Sequence, residues 1–156
     1  MTSSEVQTTR ASTGSAQAWV IDTNILLDLW LFEDPATVPL RAALQSGLIA
    51  HLATASMRDE LERVLTDPHI VKRMAKSNIK AQHILDRFDQ HCLAAEPAVK
   101  ASCTCKDPDD QKFIDLAVAH EAPLLSKDAS ILCMKKRLFQ VGVILNPTDL
   151  PALPAN

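Results

Sequence analysis

The chain has 156 residues, of which 47% are hydrophobic and 22% charged, and these proportions suit one globular domain with a core of ordinary size. Its longest apolar runs are far too short to span a bilayer, so we expect no membrane segment. A net charge of −3 means that any binding to nucleic acid depends on local groups of basic side chains. Two such groups occur: Lys72, Arg73, Lys76 and Lys80, and Lys135, Lys136 and Arg137.

The two ends of the chain are predicted to be tails, residues 1–17 and 151–156. The first is rich in Ser, Thr, Ala and Gln and has no apolar run that could form a signal-peptide core, which favours a cytoplasmic protein. We therefore expect reduced cysteines. Cys103 and Cys105 are spaced too tightly for a zinc knuckle, and no second pair follows them. The four cysteines are Cys92, Cys103, Cys105 and Cys133.

The first half of the chain alternates short apolar strands with helices. Residues 18–21 form a buried strand that stops at Asp22, and two helices are predicted at 25–32 and 40–45. A second strand follows at 48–53. Ser56 and Asp59 then resemble a capping box that opens a helix, which Pro68 ends.

The second half continues the alternation. Apolar spacing predicts a helical hairpin over 69–93 and, from a weak signal, a strand at 96–103. Asp107 and Pro108 are typical of the N-cap and first position of a helix that runs to about Glu121. A strand at 124–125, a helix at 129–139 and a strand at 141–145 complete an α/β fold with a mainly parallel sheet.

Acidic residues stand at four separate strand-to-helix junctions, and each has an ordinary structural explanation when it is considered alone. Asp22 and Asp128 could cap the helices that follow them, Glu60 could be a surface acid, and Asp110 suits the positive end of a helix dipole. Together they would repel one another at the sheet edge unless cations were present. Hard divalent ions prefer oxygen ligands and activate water toward phosphate, so the set predicts phosphodiester hydrolysis.

Four segments in this order resemble the motifs of PIN domains, most closely the branch described as toxins of toxin-antitoxin systems. They are Val20-Ile-Asp-Thr-Asn24, Arg58-Asp-Glu-Leu-Glu-Arg-Val-Leu65, Asp107-Pro-Asp-Asp-Gln-Lys-Phe-Ile114 and Leu125-Ser-Lys-Asp128. The resemblance implies a single PIN-like, Rossmann-like domain over residues 18–150, with a mainly parallel sheet flanked by helices. It also implies cleavage of single-stranded RNA with Mg²⁺ or Mn²⁺, by one or two ions, and possible partnership with an antitoxin protein.

The same resemblance assigns roles to particular residues. The metal ligands and catalytic acids would be Asp22, Glu60, Asp110 and Asp128. Ser126 would support the last of them and Asn24 would orient the first. Asp107 would cap its helix, and Asp109 is the alternative to Asp110.

Two other functions compete with this interpretation. A magnesium-dependent phosphatase also uses an acid after its first strand, but it needs a general-acid Asp two residues later, where this chain has Asn24. A non-catalytic RNA-binding or protein-binding domain could keep the fold without the activity, although all four acids are present. A homodimer is expected partly by resemblance and partly because residues 25–32 look too apolar to be covered within one small domain.

Overall fold

A computed structural model describes residues 16–148. Residues 1–15 of the predicted N-terminal tail lie outside this range, and so does the whole predicted C-terminal tail. The first strand begins at Gln17, one residue before the predicted start. No helix within the described range is long and apolar enough to cross a membrane.

The described elements alternate as the sequence predicts. The strands are β1 (Gln17–Ile21), β2 (Ile49–Ala53), β3 (Cys92–Ala94) and β4 (Leu124–Leu125). The helices are α1 (Thr23–Trp30), α2 (Val38–Ser46), α3 (Ala55–Val64), α4 (Pro68–Ser77), α5 (Ala81–His91), α6 (Gln111–His120), α7 (Ala129–Leu132) and α8 (Lys135–Gln140). Single 3-10 turns at Pro35–Thr37 and Pro108–Asp110 precede α2 and α6.

The four strands form one parallel sheet in the order β3-β2-β1-β4. Trp19 is in register with His51 of β2, and Ile21 with Leu125 of β4. Because helices connect the parallel strands, the apolar residues of β1 and β2 are mostly buried. This topology confirms the predicted α/β fold, and it brings the carboxyl ends of β1 and β4 side by side.

Helix α1 is mostly covered by its own chain. Four of its five apolar residues are at most 6% exposed, namely Leu26, Leu27, Leu29 and Trp30, whereas Ile25 is partly exposed. Each buried side chain of this size stabilises the fold by roughly 2 kcal/mol. The chain itself therefore covers most of the apolar segment 25–32 but leaves Ile25 and Phe32 partly exposed, and the homodimer stays a prediction.

Helix α3 starts two residues earlier than the capping-box pattern suggests. Thr54 is the N-cap, and its side-chain oxygen accepts a hydrogen bond from Met57 N at 3.4 Å. Ser56 and Asp59 both lie exposed on the helix surface, so their predicted capping roles are wrong. The extended backbone of Thr54, which directly follows β2, favours the cap there.

The helical hairpin after α3 is confirmed. Pro68 does not end a helix as predicted: α3 ends at Val64, and Pro68 opens α4 with Asp67 as its N-cap. The hairpin breaks at Asn78, which ends α4 in the left-handed conformation with φ 57°.

The third strand is not at 96–103, where it was predicted. It is Cys92–Ala94, which follows α5 directly and pairs with β2 from His51 to Ala53. Ala95 N still donates to Ala53 O of β2 at 2.9 Å, but residues 96–103 are not assigned to a strand. The Ala101 N–H instead donates to the side chain of Asp115 at 2.8 Å.

The end of the described chain also differs from the prediction. The expected helix at 129–139 is divided into α7 and α8, with Cys133 and Met134 between them. The expected strand at 141–145 is reduced to one parallel bridge between Leu124 and Leu145. Gly142 has φ 90°, which is incompatible with extended backbone in the middle of that segment.

Candidate functional site

Asp22 lies at the carboxyl end of β1 and is only 4% exposed. It immediately precedes α1 but makes no side-chain capping hydrogen bond, so its carboxylate is not used as a helix cap. Its Oδ2 instead accepts a hydrogen bond from Ser126 Oγ at 2.7 Å. Burial raises the pKa of Asp22, the negative charges of Glu60 and Asp128 raise it further, and the Ser126 hydrogen bond opposes them.

Ser126 connects the ends of β1 and β4. Besides donating to Asp22, its Oγ accepts the backbone N–H of Asp128 at 3.0 Å. Its own backbone is held by Asn146, whose Oδ1 accepts Ser126 N at 2.9 Å and whose Nδ2 donates to Ser126 O at 2.7 Å. The sequence analysis missed Asn146, which lies 20 residues away and outside the motifs.

Asp110 and Asp128 meet at the hydroxyl of Ser130. Ser130 Oγ lies 2.7 Å from Asp110 Oδ2 and 2.9 Å from Asp128 Oδ1. A hydroxyl has a single hydrogen, so it can satisfy only one of the two carboxylates at a time. At any moment one of the two carboxylates lacks the hydrogen of Ser130, so a cation would stabilise the pair. Ser130 was also missed, although its position two residues after Asp128 made it a candidate for a local hydrogen bond.

The two carboxylates of this pair differ in acidity. Burial raises the pKa of Asp110 to about 6, and the charges of Asp128 and Asp22 add to the effect. The backbone N–H and the hydroxyl of Ser130 lower the pKa of Asp128. Near neutral pH, Asp110 is therefore the acid in this pair that holds a proton more readily.

Glu60 joins the cluster from α3. Its Oε2 accepts a hydrogen bond from Thr23 Oγ1 at 2.6 Å, and its Oε1 is paired with the ammonium group of Lys112. Neither partner was anticipated from the sequence. Thr23 is the residue directly after Asp22, so Glu60 lies beside the carboxyl end of β1 as predicted.

The other predicted residues take no part in the hydrogen bonds of the cluster. Asn24 is exposed and lines a surface groove, and Asp22 takes its hydrogen bonds from Ser126 and not from Asn24. Asp107 caps its 3-10 turn by accepting Asp109 N at 3.0 Å, as predicted. Asp109 itself is exposed, which leaves Asp110 as the acid of this motif that joins the cluster. Lys127 is directed to Asp28, with Nζ 2.6 Å from Oδ2.

The chemistry of this donor set suits a hard divalent ion. All the donors are carboxylate oxygens, burial raises the pKa of both Asp22 and Asp110, and one hydroxyl is shared by two acids. Between residues 16 and 148, no three His, Cys, Asp or Glu side chains already stand where they could hold a metal ion. The carboxylates would therefore have to turn from their serine partners toward a common centre.

Comparison with known proteins agrees with the order of the motifs. The family model described as PIN domain matches residues 18–128. This match extends from β1 to Asp128 and includes all four acids of the cluster. No curated protein matches the chain.

Proposed function

Because this chain belongs to the PIN domain family, whose members are typically metal-dependent nucleases, we propose that it is an endoribonuclease that cleaves single-stranded RNA with Mg²⁺ or Mn²⁺. One observation carries the proposal. Four acids from distant segments are linked by short hydrogen bonds at the carboxyl ends of β1 and β4. They are Asp22, Glu60, Asp110 and Asp128. This is the edge at which open parallel sheets bind their ligands.

Asp22, Asp110 and Asp128 would hold the ion, with Glu60 beside them. When bound, a divalent ion activates water as a nucleophile and neutralises charge on the phosphate. The protein's own contribution is to keep these oxygens in place. Asn146 fixes the backbone of Ser126, Ser126 orients Asp22, and Ser130 keeps Asp110 and Asp128 adjacent.

A surface groove beside the cluster supports a path for the RNA strand. The groove has a volume of about 550 Å³, and Asn24 and Arg63 line it. Asn24 is next to Thr23, which donates to Glu60, so the groove starts close to the acids. Ile70 of α4 is also part of its lining. The exposed Lys72, Arg73 and Lys76 of the same helix could therefore meet phosphates further along the strand.

Cleavage assays on purified protein test the proposal. We expect a single-stranded RNA to be cut in the presence of Mg²⁺ or Mn²⁺, a DNA strand of the same sequence to be cut poorly, and EDTA to stop the reaction. Binding of RNA should weaken steeply with salt, since phosphate contacts displace counterions. Cleavage that persists in EDTA, or a preference for DNA, would contradict the proposed chemistry.

We further propose that the protein is the toxin of a toxin-antitoxin pair and acts on RNA in the cytoplasm. The order and spacing of the four motifs support this. Expression of the parent protein should arrest growth, expression of Asp128→Asn should not, and an antitoxin encoded beside it should relieve the arrest. Growth arrest that is equal for both proteins would contradict a nuclease toxin. The homodimer stays a prediction by resemblance, and light scattering at micromolar concentration tests it.

A further inference from the structure

Lys112 places a positive charge inside the acidic cluster. It lies in the first turn of α6, two residues after Asp110, and its ammonium group pairs with Glu60 Oε1. The same Nζ donates to the backbone oxygen of Asp109 at 2.6 Å and lies 5.0 Å from the ring centre of Phe113. Three contacts therefore hold the ammonium group in one position between α3 and the 3-10 turn that carries Asp110.

Both carboxylate oxygens of Glu60 have partners. Lys112 binds Oε1, and Thr23 Oγ1 donates to Oε2 at 2.6 Å. Asp22, Asp110 and Asp128 differ from Glu60 in this respect, because their side-chain partners are the neutral hydroxyls of Ser126 and Ser130. Glu60 is thus the acid of the cluster that a cation already neutralises.

This ion pair is more enclosed than the other two in the described part of the chain. The side chains of Lys112 and Glu60 are 26% and 16% exposed. In the pairs Arg58–Asp89 and Lys127–Asp28, at least one partner is more than half exposed. Water therefore screens the attraction between Lys112 and Glu60 less than it screens the other two pairs.

We propose that Lys112 is the built-in cation of the cluster: it holds Glu60 as a positioning residue, and it leaves Asp22, Asp110 and Asp128 to bind a single divalent ion. This inference rests on the proposed function and revises one part of the sequence prediction, the role of Glu60 as a direct ligand. While Lys112 is paired with Glu60, this carboxylate is not available to an incoming ion. The lysine therefore limits both the affinity for the ion and the number of ions bound.

The sign of the change in metal affinity tests the proposal. Mn²⁺ is titrated calorimetrically into the parent protein, Lys112→Met, Lys112→Arg, Glu60→Gln and the double variant Lys112→Met/Glu60→Gln. We expect one Mn²⁺ per parent chain. Lys112→Met should bind Mn²⁺ about tenfold more tightly, because Glu60 loses its cation and becomes free to bind the ion as a further ligand. Lys112→Arg keeps the charge and should stay within about threefold of the parent.

The double variant shows whether the effect passes through Glu60. Without a carboxylate at position 60, removal of the lysine liberates no ligand, so most of the gain in affinity should disappear. Lys106→Met is the matched control, since Lys106 is an exposed lysine four residues before Asp110. It should bind Mn²⁺ within about twofold of the parent, because solvent screens its charge. Circular dichroism verifies that every variant is folded.

The outcomes separate this inference from the proposed function. If the parent binds Mn²⁺ and Lys112→Met binds it equally well or more weakly, Lys112 is only a structural link between α3 and α6, and the inference is wrong while the nuclease proposal stands. Two ions per parent chain, or a gain in affinity that persists in the double variant, would also overturn it. If no protein in the series binds Mn²⁺, the proposed function fails and the inference fails with it.

Discussion

Two neighbouring strands bury polar groups in opposite ways. At the end of β1, Asp22 is buried but has Ser126 as a partner, and further acids stand beside it. In the middle of β2, His51 is 1% exposed, and neither ring nitrogen has a hydrogen-bond partner among the described residues. Its ring packs edge-on against Phe88, with 4.8 Å between the ring centres.

Loss of hydration affects both Asp22 and His51. Burial raises the pKa of Asp22 and lowers that of His51 to about 3, so in each case it disfavours the charged form. His51 has no nearby anion and stays neutral as part of the core. The acids lie at the sheet edge, where an ion can reach them and stabilise their charge. The comparison suggests that a buried charge becomes functional only where a counter-ion has access to it.

Removal of a carboxylate from the cluster should have the largest effect. We expect Asp22→Asn and Asp128→Asn each to reduce RNA cleavage by at least about a thousandfold while the protein stays folded, because the ion loses a charged ligand. In Asp128→Asn, the asparagine keeps the side-chain oxygen that accepts a hydrogen bond from Ser130 N. Cleavage rates and circular dichroism measure the two effects.

Asp59→Asn is the matched control for these variants. Asp59 is an exposed acid next to Glu60 and takes no part in the cluster, so its cleavage rate should stay within about twofold of the parent. If Asp59→Asn and Asp22→Asn lost activity equally, the acids at the sheet edge would not form the active site.

His51 should govern stability in acid. The unfolded chain takes up a proton at this residue below pH 6.5 and the folded chain only near pH 3, so stability is lost as the pH falls through this window. Between pH 7.5 and pH 5 the loss attributable to His51 is about 2 kcal/mol. The free energy of unfolding of His51→Leu, measured against the parent across this range, should lack that loss.

The exposed His83 provides the comparison for that measurement. His83→Leu should keep the parent's pH dependence, since an exposed ring is hydrated in both the folded and unfolded states. Equal acid sensitivity of the parent and His51→Leu would mean that the core histidine is not responsible, and the contrast between the two buried regions would then fail.

The sequence predicted the parts of the site that local pattern controls. Strand ends followed by acids located Asp22 and Asp128, and the N-cap pattern assigned Asp107 to the helix start. The choice of Asp110, with Asp109 as the alternative, came from the resemblance to PIN domains. Long-range partners could not be predicted. The pairing of Lys112 with Glu60 depends on how α3 and α6 pack, which no local spacing specifies.

The failed predictions also have local causes. Asn24 was expected to orient Asp22, but α1 begins at Thr23, so Asn24 lies on the exposed side of its first turn. The strand expected at 96–103 was placed by a weak apolar signal, whereas β3 is specified by its pairing with β2. Strand pairing is a tertiary interaction, and a short segment contains little information about it.

Asp110 should make metal binding sensitive to pH. Because burial raises its pKa to about 6, a divalent ion must displace a proton from this carboxylate at lower pH. We expect Mn²⁺ affinity to fall by about tenfold between pH 7.5 and pH 5. Calorimetric titrations at several pH values measure the change. A constant affinity over this range would place Asp110 outside the ion site.

Substitution of Asp115 should have the smallest effect of these changes, and it should alter only the stability of the fold. Its Oδ1 accepts hydrogen bonds from Ala101 N and Gln111 Nε2, both at 2.8 Å, so it fastens the segment after β3 to α6. Asp115→Ala should lower the free energy of unfolding by about 1 to 2 kcal/mol. Its Mn²⁺ affinity should match that of the parent. A large change in metal affinity would show that the acidic cluster extends further along α6 than we infer.

The central claim is that Asp22, Glu60, Asp110 and Asp128 form one ion-binding cluster, and the melting temperature in the presence of Mn²⁺ tests it most directly. An ion that binds only the folded protein adds about 2.7 kcal/mol at a hundredfold excess over Kd, so the parent should melt several degrees higher. Metal-free Asp22→Asn should be at least as stable as the metal-free parent, because one of the mutually repelling charges is gone. It should respond much less to Mn²⁺. A parent without a metal-dependent shift, or a variant that shifts as far as the parent, would contradict the account.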